Sequence, residues 1–475
     1  MPLDTSIMER TDSYKLSHHE LFPYGAEFIH SYCESRGGQF PTVIAHGTSY
    51  IAQEYMCGEQ VTKRGIERAA ELTGRTFPGP NKFNYGMWEH IRTVHKGRLP
   101  LRIRAVPEGM EVPVSNVLWT VENTGGPITV PLAQHVESLL LKSWYPTTVA
   151  TLSHEIKKVL LEFLVKTGTP ANVNYMFQDF GYRGVSSEES AQIGGAANLL
   201  NFHGTDTLIG VRHLEQYYGA RPEDLSNLSI PASEHSTITS WGREHEGDAI
   251  ENLIDKNPGT PVASVSDSFD IFNACEQIYG ERLRDKILRR VFPVIVRPDS
   301  GDPKTVLLKC LEILGYKFGI EINAKGFKVL CPKIRLIQGD GVNYWSIIDI
   351  LTHVTGAGWS ADNLAFGMGG ALLQQVNRDT QKFAVKTSSM TVNGVPRDVR
   401  KDPITDKGKQ SKGGVLALIT DSDGLFRTIR REELHYPWVD LLETIYEDGE
   451  MRKLPSFLKM RSRAASSLQE MLLAA

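Results

Sequence analysis

The stretch VIVRPDSGDPKTVLLKCLEIL, residues 294–314, decides the fold. It opens on Val294, Ile295 and Val296, an apolar run too uniform for a half-exposed strand. A polar turn follows, Arg297-Pro298-Asp299-Ser300-Gly301. Beyond it Val306, Leu307, Cys310, Leu311 and Leu314 fall at i, i+1, i+4, i+5 and i+8, which is one face of a helix. A buried strand, a turn and an amphipathic helix make one βα unit.

The same grammar recurs on both sides. Tyr175–Phe177 leads into Asp179-Phe180-Gly181-Tyr182-Arg183-Gly184, and Leu199–Phe202 into Gly204-Thr205-Asp206-Thr207. Leu228–Ala232 leads into Glu234-His235-Ser236-Thr237, and Val262–Val265 into Ser266-Asp267-Ser268. Ile334–Ile337 leads into Gln338-Gly339-Asp340-Gly341, and Leu364–Phe366 into Gly367-Met368-Gly369-Gly370. The turns recur about every thirty residues, the length of one unit. Seven such units predict a parallel sheet covered by helices and closed, or nearly closed, into a barrel. The fold class is α/β. An irregular (β/α) barrel-like domain is expected over 148–385, with a second, mixed α+β domain built from both termini, 1–147 and 386–475.

In those terminal regions Leu101–Val117 alternates apolar and polar residues around a turn at Pro107-Glu108-Gly109, as antiparallel strands do. Leu132, Val136, Leu139, Leu140 and Trp144 predict a helix near 134–144. Residues 398–414 are rich in Lys, Asp and Gly; LALIT (416–420) and Asp421-Ser422-Asp423-Gly424 read as a strand and a hairpin turn. A modest helix is expected within 456–475.

Composition bounds the function. The 475 residues are 41% hydrophobic and 23% charged, enough for two or three globular domains. The net charge of −4 argues against binding nucleic acid through overall charge, and leaves room for a local basic pocket. Five dispersed cysteines, Cys33, Cys57, Cys275, Cys310 and Cys331, form neither a disulfide framework nor a zinc ribbon. The N-terminus lacks an apolar signal region and no run of 18 apolar residues occurs, so a cytoplasmic protein without membrane contact is expected. The sequon Asn227-Leu228-Ser229 then reads as chance.

Active sites of barrel-like α/β folds form at the C-terminal ends of the strands. Collected there, the turns offer Arg183, Asp206, Glu234, His235, Asp267, Arg297, Asp299 and Asp340. Each taken singly has a plainer reading: an Asp after a strand usually caps a helix. Recurrence at the same end of successive strands favours a site. Gly339 in one turn, and Gly369 and Gly370 in the next, suggest adjacent phosphate cradles, and Arg183 and Arg297 planar forks for phosphate. His235 is either a helix-start residue or an imidazole held by an acidic neighbour, suited to act as nucleophile or base. The basic stretch from Lys386 through Lys401, Lys409 and Lys412 is a solvated loop, a polyanion contact or a contribution to a partner's active site.

Several motifs then converge. Thr11-Asp12-Ser13-Tyr14-Lys15, SWYPTTVA (143–150), DFGYRGVSS (179–187), NFHGTDT (201–207), PASEHSTITSWG (231–242), VSDSFDIFNAC (265–275), VRPDSGDP (296–303), IQGDGV (337–342) and AFGMGGALLQ (365–374) resemble, in order and over nearly the whole chain, the nicotinamide phosphoribosyltransferases, type II phosphoribosyltransferases. The resemblance implies transfer of phosphoribose from phosphoribosyl pyrophosphate to nicotinamide in NAD salvage. It implies ATP as co-substrate through a phosphohistidine, a Mg²⁺ requirement, and a homodimer with shared active sites.

Residue by residue, it implies that Phe180 and, from the other subunit, Tyr14 stack on the pyridine ring. Asp206 accepts from the carboxamide. Arg183 and Arg297 bind phosphate and pyrophosphate, and Asp299 and Asp340 hold the ribose. Gly339, Gly369 and Gly370 cradle the 5′-phosphate. His235 is the phosphorylated histidine with Glu234 and Asp267 beside it. Arg36, Arg378 and Lys386 reach the phosphates from the second subunit, and Lys401, Lys409 and Lys412 face the nucleotide. One departure stands out: Ala263 occupies the place of a common amide-binding serine, and Ser264 points to the other face of its strand. The rivals are a nicotinate-using enzyme, which a repulsive Asp206 disfavours, a non-catalytic nucleotide-binding homologue, and a barrel glycosidase, which leaves the phosphate cradles unexplained.

Overall fold

The structure, a computed structural model, describes residues 6–401 and 411–469. It divides into two compact units. One comprises Met1–Thr151, Tyr217–Gly219 and Asn377–Arg463; the other comprises Leu152–Gln216, Ala220–Val376 and Ala464–Ala475. The first is called the terminal unit below and the second the ring unit. The expected boundary at 147/148 falls inside one continuous helix, Trp144–Thr167.

The ring unit is built on a six-stranded parallel sheet. Its spatial order is Gly204–Thr205, Phe177–Asp179, Leu364–Met368, Ile334–Gln338, Val294–Arg297 and Val262–Val265. The first strand in sequence thus pairs with the last, the connectivity of a curled sheet. Residues 228–232 span the remaining gap without forming a strand. Leu228 O accepts from Thr205 N at 2.8 Å, and Ala232 bridges Ala263 in parallel. Two expected strands are therefore corrected. Leu199 and Leu200 lie at the end of the helix Glu188–Asn198, buried as helix ends are, and the strand beyond them is only two residues long.

The helices follow from caps and apolar stripes. Asp302 accepts from Thr305 N at 3.1 Å, Pro303 occupies the first turn, and Gly319 at φ 89° ends the helix Pro303–Phe318. Its Leu307, Cys310, Leu311 and Leu314 are fully buried, each leucine contributing about 1.5–3 kcal/mol. The helix expected after Gly370 spans only Gly370–Leu373. It is too short to serve as an anion-binding dipole.

The terminal unit carries a seven-stranded sheet in which Ala26–Ser35 pairs antiparallel with both Phe383–Val392 and Val117–Asn123. The helix Val130–Leu140 packs on these strands, burying Leu132, Val136, Leu139 and Leu140. Leu416–Thr420 pairs with Phe426–Arg430 across the Asp421–Gly424 turn. The C-terminal helix is Phe457–Ser466. No helix among the described residues is long and apolar enough to cross a membrane.

Candidate active site

The strands of the ring unit alternate in direction of their side chains. Gln178, Ala263, Ile295, Ile337 and Ala365 all point inward, around a cavity of about 290 Å³ whose walls also include Phe180, Asp206, Ser229 and Arg297. A second cavity of about 440 Å³ forms the mouth, lined by Phe180, Tyr182, Arg183, Asp206, Ser233, Glu234 and Arg297. Phe180, Asp206 and Arg297 belong to both.

Phe180 is held by its amide, which donates to Met368 O at 3.0 Å. Its ring lies against two glycines at the ends of adjacent strands. A methyl group on Gly367 would sit 1.9 Å from Phe180 Cε2, and one on Gly339 3.5 Å from the same atom. Gly367 joins the candidate site residues on this contact alone. Gly339 and Gly369 border the ring or its backbone, and Gly370 approaches Gly184 so closely that a Cβ on Gly184 would meet Gly370 Cα at 2.9 Å. These glycines hold two loops together beside Arg183.

The Asp206 amide donates to Asp179 O at 2.9 Å, and its Oδ1 accepts from Ser229 Oγ at 2.5 Å. Asp179 itself is buried and structural. It accepts from Gly181 N at 2.7 Å and Thr205 Oγ1 at 3.0 Å, and burial raises its pKa despite those bonds.

Next in the chain to Glu234 of the mouth, the imidazole of His235 faces a carboxylate. His235 Nε2 lies 3.0 Å from Asp267 Oδ1; with Nε2–H donating to that carboxylate, Nδ1 keeps its lone pair. The sequence neighbour Glu234 is the residue before the helix His235–Thr239, and its carboxylate accepts from Ser236 Oγ rather than from the imidazole. Arg297 Nη2 is 3.5 Å from Asp299 Oδ2, and Arg297 Nε is buried with no hydrogen-bond partner among the described residues. Burial raises the Asp299 pKa; Asp267 and Asp340 add to this, while Arg297 and His235 oppose it. Asp340 is exposed, its carbonyl accepting from Gln338 Nε2 at 2.8 Å. Glu246, to which the sequence gives no pointer, is buried with Oε1 unpartnered among the described residues. Burial, with help from Asp270 and Asp267, pushes its pKa to about 7. Among the described residues no three His, Cys, Asp or Glu side chains form a metal cage.

The remaining candidates lie in the terminal unit. Lys386 stands opposite Tyr32 in the sheet. Partial burial and the like charges of Arg36, Lys401 and Arg378 lower its pKa, with Glu137 opposing. Buried Glu34 accepts from Arg36 Nε at 2.8 Å and from the Lys412 ammonium. These cations form one cluster. Lys401 and Ser411 are hydrogen-bonded to each other, N to Oγ at 2.8 Å; Lys409 lies outside the described residues. Tyr14, in the 3-10 helix Ser13–Glu20, is 57% exposed.

With this geometry in place, the relatives are decisive. The chain is 45% identical to the nicotinamide phosphoribosyltransferase of Xanthomonas campestris pv. campestris over 469 residues, 97% of this chain and 98% of the relative. The chain belongs to the nicotinamide phosphoribosyltransferase family. It is also 30% identical to the nicotinamide phosphoribosyltransferase of Acinetobacter baylyi, over 96% and 97% of the two chains. The nicotinate phosphoribosyltransferase (NAPRTase) family model matches residues 175–449, and the nicotinamide phosphoribosyltransferase N-terminal domain matches 6–103. The fold is shared with the nicotinate-nucleotide pyrophosphorylase of Pyrococcus furiosus (TM-score 0.60, 15% identity, 98% and 96% coverage) and with human nicotinic acid phosphoribosyltransferase (TM-score 0.53, 14% identity, 97% and 93% coverage).

Proposed function

We propose that this chain is a cytoplasmic pentosyltransferase of NAD salvage, joining nicotinamide to the phosphoribosyl group of phosphoribosyl pyrophosphate and releasing pyrophosphate. The observation that carries this reading is the continuity of the two cavities. A ring-sized space beside Phe180 has Asp206 at its polar end and opens onto Arg183, Glu234 and Arg297; Asp299 lies 3.5 Å from Arg297, and His235, next in the chain to Glu234, pairs with Asp267. A flat, weakly nucleophilic pyridine is best placed by an aromatic wall. Its nitrogen attacks C1 of the ribose as the bond to pyrophosphate breaks. Asp299 and Asp340 face the positive charge that develops on the sugar, and the arginines take the departing negative charge. The five free cysteines accord with a reducing cytoplasm.

ATP enters as a second substrate. His235 Nδ1 attacks the γ-phosphorus, the bond to the β-phosphate oxygen breaks, and ADP leaves. Asp267 steadies the ring through Nε2. Mg²⁺ fits as an ion arriving with substrate phosphates, held by them and by one or two carboxylates, Asp299 and Asp340 being those at hand. It supplies charge neutralisation on the leaving group. The cation cluster of the terminal unit and the exposed Tyr14 suit a homodimer in which a second copy completes each site.

The test is product analysis with nicotinamide, phosphoribosyl pyrophosphate and Mg²⁺, with and without ATP, and with nicotinate in parallel. Nicotinamide mononucleotide and pyrophosphate are expected in equal amounts, with more product when ATP is present. Preferential formation of the nicotinate product would replace this reading with the nicotinate one.

A further inference from the structure

The polar end of the inner cavity holds a hydroxyl as well as a carboxylate. Ser229 sits on the 227–232 segment that closes the ring of strands, and this segment is clamped. Leu228 O accepts from both Thr205 N and Gln178 Nε2, each at 2.8 Å, and Asn227 takes a left-handed turn at φ 55°. So held, Ser229 Oγ donates to Asp206 Oδ1 at 2.5 Å. A serine hydroxyl has one proton. With that proton given to Asp206, the Ser229 oxygen faces the cavity as an acceptor, next to the second oxygen of Asp206.

The other hydroxyls nearby are engaged elsewhere. Ala263 turns a methyl group toward the cavity. Ser233 accepts from Val265 N at 2.9 Å, and Ser264, buried, lies 3.4 Å from Ser233 Oγ. Ser229 is the one serine or threonine among the described residues lining the inner cavity.

We propose that Ser229 is a specificity-determining residue: Asp206 and Ser229 form a two-acceptor edge that takes both N–H groups of a primary carboxamide and rejects a carboxylate. A carboxylate has no proton to give either oxygen, and it meets the charge of Asp206 as well. Selection of the amide then comes from the closing segment of the ring as well as from Asp206. The inference rests on the nicotinamide reading above and adds to it the residue that fixes the Asp206 carboxylate.

The experiment compares kcat/KM for nicotinamide and for nicotinate in wild type, Ser229→Ala and Ser229→Thr. Ser229 is solvent-accessible, so all three proteins should fold alike, as a thermal melt will check. In Ser229→Ala the amide-over-acid ratio is expected to fall about tenfold, the loss of one hydrogen bond to a charged group. The loss should enter through KM, because the bond orients the ground state as much as the transition state. Ser229→Thr, which keeps the hydroxyl, should hold the ratio within about threefold of wild type. An unchanged ratio in Ser229→Ala, or an equal fall in Ser229→Thr, overturns the proposal. If wild type itself does not prefer nicotinamide, the functional reading fails and takes this inference with it. A wild-type preference that Ser229→Ala leaves intact sinks the inference alone.

Discussion

Glu108 and Glu122 in the terminal unit, and Asp299 and Glu246 in the ring unit, are all carboxylates withdrawn from water, and they respond in opposite ways. Glu108 is fully enclosed, and burial alone would raise its pKa. His46 at 2.9 Å, with the amides of Gly47 and Ser49, instead holds it at about 2. Glu122 is held at about 2 in the same manner: burial opposes ionisation, and His30 at 3.1 Å, Arg431 and Arg102 overcome it. Asp299 and Glu246 receive no such set of donors, so burial wins and their pKa values rise. The difference separates scaffold from site. A buried acid with every lone pair answered fixes a fold. An acid left partly unanswered, as Asp299 is beside Arg297 and His235, is a candidate to meet a ligand.

The sharpest way to break this contrast is at His235. His235→Ala should abolish ATP hydrolysis and ATP stimulation together, while leaving some ATP-independent transfer, since positioning comes from other residues. ADP release and an acid-labile label from γ-labelled ATP check it; a label that persists in the variant places the phosphoryl group elsewhere. Next in size is Gly367→Ala. Its methyl would overlap Phe180, and displacing that ring by an ångström should cost about 100-fold in kcat/KM for nicotinamide.

Glu108→Gln should do the reverse, lowering stability while sparing kinetics. The pKa of Glu108 is depressed in the fold, so its contribution is present above the ordinary carboxylate range and fades as pH falls toward about 2. The loss should be about 2–3 kcal/mol near pH 7 and shrink on acidification, read from denaturant melts. The smallest effect is expected at Glu246. Its raised pKa means that the fold loses stability as pH rises from the ordinary carboxylate value toward about 7. Glu246→Gln should therefore stabilise by about 1 kcal/mol at pH 8, allowing for solvent screening, and by nearly nothing at pH 5. Equal effects at both pH values would remove Glu246 from the contrast.

Much of this was legible in the residues. Uniform apolar runs followed by polar turns mark four of the strands in the ring, because a strand buried on both faces needs no alternation, whereas the run Tyr175–Phe177 shares only Phe177 with the strand Phe177–Asp179. Leu199–Phe202 misled for the same reason: a short apolar run cannot be told from the buried end of a helix. The strand Gly204–Thr205 carries no apolar signal at all. Among the candidate site residues, Asp206, His235, Asp267, Arg297 and Asp299 follow strand-like runs, where spacing alone points to them. Ser229 was hidden inside a tripeptide that reads as a chance sequon. Glu246 was hidden among the charges of Arg243–Asp248, where an acid at a helix start looks like a dipole partner. The contact of Gly367 with Phe180 joins residues far apart in sequence, so only coordinates reveal it.

The most direct test of the account places nicotinamide and nicotinate in one reaction at equal concentration, with wild type and with Asp206→Asn, and measures the two mononucleotides formed. Wild type is expected to form chiefly the amide product. Asp206→Asn should lose roughly 1–3 kcal/mol of that preference, the scale of one charged hydrogen bond. A product ratio that is the same in both proteins would contradict the reading of Asp206 as the group that selects the amide.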